Sequence, residues 1–314
     1  MSNGVKIGVM GAGVFGAYHA AKFASHSSAD LAAVFDLDSG RAESLAAKYG
    51  AQASRDVDDF LQSVDAVVVT APATSHFELV DLALRAGRHV FVEKPITLDV
   101  DQADDLIKRA REMEVILQVG HQERYVFDAV GLLAREKSPL KIDCVRCGPT
   151  SGRCEDVSVV FDLMVHDIDL VRQITKSDID TVTAEGDAGE VMADLTLANG
   201  AVVTMKASRL AEARDRRMSL VYDDGFIEFD FINRTVENST PALLNEVFDC
   251  KDAPPALKDP LAYGADAFLQ SIINGEPPHV SGEDGRDAVA WAVRIEEAAG
   301  LALRETKTLE RMRA

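Results

Sequence analysis

The first ~120 residues alternate short apolar runs with longer amphipathic segments, and this alternation limits the folds that the chain can adopt. An apolar run, a helical pattern and a second apolar run together are typical of a β-α-β unit, whose two strands are parallel. Repeated units build one parallel sheet with helices on both faces. We therefore predict an α/β fold with a doubly wound parallel sheet for this part of the chain.

The chain has 314 residues, which is long for one hydrophobic core and indicates two domains. After His121 the alternation stops, and strand patterns joined by short turns with glycine or asparagine follow. This pattern predicts a meander. The second domain is therefore expected to be α+β with an antiparallel sheet.

Acidic residues outnumber basic ones, since 33 Lys and Arg against 52 Asp and Glu give a formal net charge of −19. Such a chain lacks the basic field that attracts nucleic acid, whereas a small anionic ligand needs only a few local arginines. No apolar run approaches the ~20 residues of a membrane span. The N-terminal sequence also lacks the layout of a signal peptide. We expect a cytoplasmic protein with no membrane or nucleic-acid partner.

The four cysteines are Cys144, Cys147, Cys154 and Cys250. The two-residue gap in "CVRC" is also found in zinc knuckles, but no fourth ligand follows at a suitable spacing and the segment has a strand pattern. Reduced thiols are the usual state in the cytoplasm. We predict no metal site.

Three glycines, Gly11, Gly13 and Gly16, form G-x-G-x-x-G after the first apolar run and at the start of a helical pattern. Glycine permits a tight turn and the close approach of a pyrophosphate, whose charge faces the free N–H groups of the helix N-terminus. Asp36 ends the second predicted strand, where an acid binds the ribose 2′-hydroxyl. An acid repels a 2′-phosphate, so NAD is favoured over NADP, although Arg41 is close enough in sequence to assist NADP. A glycine turn without a ligand is the alternative.

An apolar helical pattern over residues 157–174 carries four polar side chains at spacings of four, three and four: Asp162, His166, Asp169 and Gln173. This spacing places them in one stripe along the helix. A solvated face is one interpretation, but a surface helix usually has a broader polar face. His166 is the best candidate for a general base, because the unperturbed pKa of histidine, roughly 6.5, is near neutral pH.

The E-K-P motif at Glu93 to Pro95, the D-x-x-x-H motif at Asp162 and His166, and the late "SGEDGRDAVAWA" together resemble the Gfo/Idh/MocA oxidoreductases. The resemblance covers the whole chain. It implies a Rossmann domain followed by a domain with an open, mostly antiparallel sheet that often forms subunit contacts. It also implies an NAD(P)-dependent dehydrogenase acting on CH–OH groups. The strand-rich segment from Thr181 to Phe231 would leave apolar residues in water on its exposed face, so we predict a homodimer or homotetramer built on this sheet.

On this basis we predict a dinucleotide-binding Rossmann domain over residues 1–121 and a substrate-binding and oligomerisation domain over residues 122–314. The predicted cofactor contacts, beyond the three glycines and Asp36, are Val14, Phe15, Ala71, Pro72, His76, Glu93 and Lys94. For His76, local packing is the alternative to a place beside the cofactor. In many family members the peptide bond that corresponds to Lys94–Pro95 is cis.

Three segments are similar to the UDP-N-acetylglucosamine 3-dehydrogenases within this family. They are "VGHQERY", "DVSVVFDLMVHDIDL" and the arginine-bearing "ASRLAEARDRRMSLVYDDGFIEFDFINRT". The Asn-Pro that follows the aromatic residue in that group is absent after Tyr125. The similarity implies oxidation at C3 of a UDP-sugar such as UDP-N-acetylglucosamine. A free sugar or polyol (inositol-like) dehydrogenase and a non-catalytic cofactor-binding regulator are the alternatives.

The resemblance also implies roles for single residues. Lys94 donates to the reacting oxygen and stabilises alkoxide charge, His166 takes the hydroxyl proton, and Asp162 orients the substrate or the imidazole. The presence of all three favours an enzyme over a regulator. Glu93 is expected near the cofactor ribose or Lys94.

Substrate contacts are expected from His121, with a packed strand-end histidine as the alternative. Arginines are candidates for binding a substrate diphosphate, although a solvated role is equally open for each of them. The predicted substrate-binding arginines are Arg124, Arg153 and Arg209, with Arg216 and Arg217 as further candidates.

Overall fold

The computed structural model of the protein describes residues 4–150, 152, 156–246, 248 and 251–301. These residues form two compact units. The first unit contains residues 4–120 and Leu261–Arg286, and the second contains His121–Pro260 and residues 287–301. Within the described ranges, no helix is long and apolar enough to cross a membrane.

Six parallel strands form the sheet of the first unit. They are β1 (Val5–Met10), β2 (Ala29–Phe35), β3 (Gln52–Ser54), β4 (Ala66–Val69), β5 (His89–Val92) and β6 (Leu117–Val119). The strand order is β3-β2-β1-β4-β5-β6, so the chain winds outward from β1 to one edge and then from β4 to the other. The doubly wound parallel sheet is confirmed. Its order reverses between β1 and β4, and ligands of such sheets bind at this position.

Five helices connect these strands: α1 (Val14–Ala24), α2 (Ser39–Tyr49), α3 (Val57–Gln62), α4 (His76–Arg85) and α5 (Val100–Glu112). Local signals set their ends. Asp38 caps α2, because its Oδ1 accepts from the backbone N–H groups of Gly40 and Arg41 at 3.0 and 3.2 Å. Gly50 ends the same helix in the left-handed conformation, with a φ of 72°.

The core of the first unit includes a helix from much later in the chain. In α9 (Pro260–Asn274), Phe268 and Leu269 are fully buried and belong to the cluster that contains Phe91 of β5. The rings of Phe91 and Phe268 meet edge to face, with centroids 5.8 Å apart. The sequence-based division placed all of residues 122–314 in the second domain. The structure differs because this helix packs its apolar face against the first sheet.

Seven strands form the sheet of the second unit. They are β7 (Lys141–Pro149), β8 (Ile179–Gly186), β9 (Glu190–Leu197), β10 (Val202–Ser208), β11 (Leu210–Tyr222), β12 (Gly225–Asp230) and β13 (Thr235–Asn238). Their order is β13-β12-β11-β7-β10-β9-β8. Only the pair of β7 and β10 is parallel, so the mostly antiparallel sheet is confirmed. The predicted meander is wrong in one respect, because β7 lies between β10 and β11.

The second unit also contains α6 (Glu123–Val130), α7 (Val165–Thr175) and α8 (Pro255–Lys258), with a π-helical turn over Val160–Met164. The predicted single helix over residues 157–174 is therefore divided. Asp162 lies in the π-helical turn and His166 in the first turn of α7. Such turns occur often at functional sites.

The last described helix is α10 (Gly282–Ala298). The Ser281 hydroxyl accepts from the backbone N–H of Asp284 at 3.2 Å, and the Asp284 carboxylate accepts from the backbone N–H of Ser281 at 2.9 Å. Ser281 therefore caps α10. The division between the two units falls within this helix, between residues 286 and 287.

Candidate active site

The loop between β1 and α1 is shaped by its three glycines. Gly11 has a φ of 100°, and a Cβ there would lie 2.8 Å from the backbone nitrogen of Ala71. A Cβ on Gly16 would lie 1.9 Å from the carbonyl oxygen of Gly11. At Gly13 no heavy atom lies within 4 Å of the Cβ position. Two glycines thus close the turn, and the third leaves open space for a ligand.

The N-terminus of α1 is open to an anion. Its N-cap, Gly13, provides no side-chain hydrogen bond to the first turn, so the free N–H groups there can bind a phosphate. The side chains of Val14 and Phe15, at the helix start, are exposed. These features fit the pyrophosphate of a dinucleotide such as NAD.

The carboxylate of Asp36 is fixed beside this loop. Its Oδ2 accepts from the backbone N–H of Ala12 at 2.6 Å, and its Oδ1 accepts from that of Asp38 at 2.8 Å. Arg41 pairs with Asp38 at 3.4 Å, and both side chains are largely exposed, so this pair contributes little to stability. A cofactor 2′-phosphate placed beside Asp36 would meet its negative charge.

The turn after β5 carries Lys94, which is half-buried, and the Lys94–Pro95 peptide bond is cis. The ring of buried His76 links this turn to the loop after β4. Its Nδ1 lies 2.6 Å from the carbonyl oxygen of Pro95, and its Nε2 lies 2.9 Å from that of Ala71. Burial lowers the pKa of His76. The geometry therefore supports the alternative of local packing, in which His76 holds the turn that presents Lys94.

Glu93 binds a histidine that the sequence analysis missed. The Nε2 of His19, on α1, lies 2.6 Å from Oε1 of Glu93, and both residues are buried. A Cβ at Gly120 would lie 3.0 Å from Cδ of Glu93, so glycine makes room for the carboxylate. The pair connects the glycine-loop helix to the strand end before Lys94. The available signal was the position of His19 on the buried stripe of α1, where a polar side chain needs a partner.

The predicted base in the second unit has an acidic partner. The Nδ1 of His166 lies 3.2 Å from Oε2 of Glu123, the first residue of α6. The two side chains are 22% and 21% exposed, so the pair is shielded and still accessible. A carboxylate beside Nδ1 favours the tautomer with the proton on Nδ1, which leaves Nε2 as the proton acceptor.

Arg146, on β7, connects this pair to a buried acid, Asp167. Its Nη1 and Nη2 donate to the two oxygens of Glu123 at 2.8 and 2.9 Å. Its Nε and Nη2 donate to Asp167 at 2.9 and 2.7 Å. Burial raises the pKa of the Glu123 carboxyl, but Arg146 and His166 lower that pKa by more, and it lies well below its ordinary value. Glu123 is therefore ionised.

Neither Glu123 nor Arg146 was assigned a role from the sequence. Glu123 stands in the quoted "VGHQERY", but its pairing with a histidine far along the chain has no local signal. Arg146 alternates with Ile142 and Cys144, which are buried on β7. A charged residue at an inward position of a strand indicates a buried ion pair.

Two arginines that were predicted to bind the substrate, Arg209 and Arg124, lie close to acidic side chains. Nη2 of Arg209 donates to the carbonyl oxygen of Val157 at 2.9 Å and lies 3.8 Å from Oδ2 of Asp162. Arg124 binds Asp169 through both Nε, at 3.1 Å, and Nη2, and both side chains are buried. This geometry favours a structural role for Arg124 over the predicted diphosphate contact, because the buried pair occupies one edge of its guanidinium.

For the other predicted site residues, the structure says little about the predicted role. His121 is 2% exposed, and its substrate contact stays a prediction. Arg153, Cys154 and Cys250 lie outside the described residues. Cys144 and Cys147 are free, buried thiols, and the described part of the chain holds no cluster of metal-binding side chains.

Neighbouring arginines on β11 differ in their surroundings. Arg217 donates to Asp215 at 2.7 and 2.8 Å on the exposed side. Arg216 lies directly opposite Arg146 on the paired strand β7 and is half-buried. Burial and the charge of Arg146 lower the pKa of Arg216. Among the residues that the structure describes, no carboxylate lies within salt-bridge distance of Arg216.

Comparison with known proteins identifies relatives over most of the chain. Residues 5–121 match the family described as "Oxidoreductase family, NAD-binding Rossmann fold", and residues 150–228 match the "GFO/IDH/MocA C-terminal domain". The chain is 34% identical over 311 residues to a UDP-N-acetylglucosamine 3-dehydrogenase of Acidithiobacillus ferrooxidans, covering 94% of this chain and 97% of that protein. It is 28% identical over 323 residues to a myo-inositol 2-dehydrogenase of Thermotoga maritima, covering 91% and 93%. A solved structure of the A. ferrooxidans enzyme superposes with a TM-score of 0.86, covering 94% of this chain and 98% of that chain.

Proposed function

This chain belongs to the Gfo/Idh/MocA family of NAD-binding oxidoreductases, and on that premise we propose that it oxidises the C3 hydroxyl of a UDP-sugar such as UDP-N-acetylglucosamine. It is an NAD-dependent dehydrogenase that acts on a CH–OH group. The relative that shares 34% identity carries the name UDP-N-acetylglucosamine 3-dehydrogenase, which supports the nucleotide sugar as the substrate class.

Three side chains are proposed to carry the reaction. NAD, when bound, accepts the hydride from the carbon that bears the hydroxyl. His166 takes the hydroxyl proton on Nε2, and Lys94 donates a hydrogen bond to the same oxygen and stabilises its negative charge. Asp162, beside Arg209, orients the sugar or the imidazole. The observation that supports this proposal is the Glu123 carboxylate 3.2 Å from Nδ1 of His166, because a negative charge there favours the tautomer in which Nε2 accepts a proton.

A UDP-sugar contains a diphosphate, and a free polyol does not. Arg216 supports the nucleotide sugar, since a half-buried guanidinium without a carboxylate partner among the described residues suits a diphosphate oxygen. Replacing Arg216 with Gln should raise the KM for UDP-N-acetylglucosamine at least about 10-fold, because hydrogen bonds to charged groups contribute about 1.5–3 kcal/mol. Arg217→Gln is the matched control, because that neighbouring arginine already binds Asp215. Equal KM values in the two variants would remove this support.

A substrate panel tests the function. The protein is mixed with NAD and, in turn, UDP-N-acetylglucosamine, UDP-glucose, myo-inositol and free N-acetylglucosamine, and NADH is followed by absorbance. We expect the highest kcat/KM with a UDP-sugar. Turnover of myo-inositol alone would favour the polyol dehydrogenase, which the 28% identical relative suggests. No turnover with any compound, together with tight NAD binding, would favour the regulator.

We also propose a homodimer or homotetramer that uses the sheet of the second unit. Lys141 lies in a cross-strand row with Val202, Val221 and Phe226. These three apolar residues are 44%, 37% and 37% exposed, and a second subunit would cover this patch. Light scattering at micromolar concentration should give at least twice the mass of one chain, and Phe226→Lys should shift it toward the monomer. A monomeric unmodified protein would exclude this assembly.

A further inference from the structure

We infer that Glu123 is a positioning residue for His166, which it holds by Nδ1 so that Nε2 faces the hydroxyl to be oxidised. The inference rests on the proposed function, because it takes His166 as the base. Glu123 itself does not touch the reacting atoms in this scheme. It acts through the imidazole, as buried acids do in hydrolytic triads.

The carboxylate of Glu123 is fixed at three points. Oε1 accepts from Arg146 at 2.8 Å, and Oε2 is shared between Arg146 at 2.9 Å and Nδ1 of His166 at 3.2 Å. Arg146 is in turn fixed by two hydrogen bonds to Asp167. Rotation of the imidazole about its side-chain bonds would move Nδ1 away from this fixed carboxylate. This arrangement defines which ring nitrogen is presented.

The same arrangement makes Glu123 a fixed charge and not a proton relay. Two charge-assisted hydrogen bonds from Arg146 stabilise the carboxylate form. When His166 takes the proton from the sugar hydroxyl, the proton stays on Nε2 and the ring becomes positively charged. NAD, when bound, would supply the acceptor for the hydride from the carbon that bears this hydroxyl. The ionised Glu123 then attracts the imidazolium and stabilises it, which favours the step in which the proton is transferred.

Asp167 provides a matched control within the same network. It is buried, whereas Glu123 is 21% exposed, and it binds the other edge of Arg146. Within the described residues, however, no hydrogen bond joins Asp167 to His166. Removing the charge of either acid disturbs Arg146, but only Glu123→Gln removes the charge beside the imidazole.

The experiment compares Glu123→Gln with Asp167→Asn in the full-length protein, using UDP-N-acetylglucosamine and NAD. We expect Glu123→Gln to lower kcat by about 10²-fold, the lower end of the ~10²–10⁴-fold contribution of general acid–base catalysis. The KM and the NAD affinity should change only a few-fold. Asp167→Asn should lower the melting temperature and reduce kcat much less. Glu123→Asp, which keeps the charge, should recover part of the lost kcat.

Equal kcat losses in the two variants would overturn the inference, because Glu123 would then serve only to hold Arg146. If Glu123→Gln fails to fold, the unmodified protein still provides a test, since ¹⁵N chemical shifts show which nitrogen of His166 carries the proton. The inference requires the proton on Nδ1, and a ring protonated on Nε2 would contradict it. The proposed function fails separately, if His166→Ala keeps full turnover or no UDP-sugar is oxidised.

Discussion

Removal of Arg146 should destabilise the second unit more than any exposed arginine can. The buried guanidinium serves two acids, Glu123 and Asp167, through four hydrogen bonds of 2.7 to 2.9 Å. Breaking one buried pair by removing a partner typically costs ~3–5 kcal/mol. Arg146→Met leaves the buried Asp167 and the partly buried Glu123 without this cation, so we expect the free energy of unfolding to fall by about 5 kcal/mol. Such a loss is a large part of the ~5–15 kcal/mol that stabilises a typical folded protein.

Intrinsic tryptophan fluorescence can be used to follow unfolding. Trp291 is the single tryptophan and is buried in the second unit, which also contains Arg146. Urea unfolding followed by its fluorescence reports the free energy of unfolding of that unit. Arg217→Met is the control, since its pair with Asp215 is on the exposed side and should contribute less than about 1 kcal/mol.

The pH dependence provides a second measurement. Burial raises the pKa of Glu123, but Arg146 and His166 lower it to well below its ordinary value in the folded protein. The stabilisation from Glu123 is therefore fully present above about pH 4.5 and is lost as the pH falls through the lower pKa of the folded state. In the Arg146→Met variant the cation is missing, so burial should raise the pKa of Glu123 above its value in the unfolded chain. The folded variant then binds a proton more readily than the unfolded chain, and its free energy of unfolding increases as the pH falls.

The difference in unfolding free energy between the unmodified protein and Arg146→Met should therefore be largest near pH 7 and should shrink toward pH 4. This explanation is refuted if Arg146→Met lowers the free energy of unfolding by no more than Arg217→Met does. A difference that grows on acidification would refute it equally, because the buried acids would not then be the source of the loss.

Three further predictions concern the cofactor and the chemistry. Asp36→Ala should weaken NAD binding more than NADP binding, since it removes the ribose partner and the charge that repels a 2′-phosphate. Fluorescence titration with both cofactors measures the two affinities. Tighter binding of NADP than of NAD by the unmodified protein would contradict this prediction. His166→Ala and Lys94→Ala should each lower kcat by ~10²–10⁴-fold with NAD affinity retained, and the double variant should lose less than the product, because both act on one oxygen. Asp162→Asn should have a smaller effect on kcat if the acid only orients its neighbours, and a loss as large as that of His166→Ala would assign it a direct role.

Local patterns were sufficient for the elements of the first unit. The alternation of apolar runs and helical segments predicted the parallel sheet, and the caps at Asp38 and Ser281 follow from side chains within three residues of the helix start. The glycine spacing predicted the tight turn, because Gly16 must pack against the carbonyl oxygen of Gly11, which is close in sequence. These features depend on residues that are close in sequence, so a single sequence contains the necessary signal.

Pairings between distant segments were not predictable in this way. The insertion of β7 between β10 and β11 depends on which edges are free once the sheet forms, and turn signals do not show this. The partners of His166 and His19 are likewise residues far away in the chain, Glu123 and Glu93. The inward position of Arg146 indicated that some acid must be near, but not which one. Burial patterns therefore predict that a partner exists, and only the tertiary structure identifies it.

The place of α9 in the first unit has a consequence for the order in which the protein is made. During synthesis, residues 4–120 emerge from the ribosome well before Phe268 and Leu269, which complete the core around Phe91. Until then the part of this core that Phe268 and Leu269 fill remains uncovered, and a nascent chain in this state is prone to aggregate. A fragment that ends at residue 121 should accordingly be poorly soluble, and a separately supplied α9 peptide should bind to it. The stable Rossmann unit is thus a product of the finished chain.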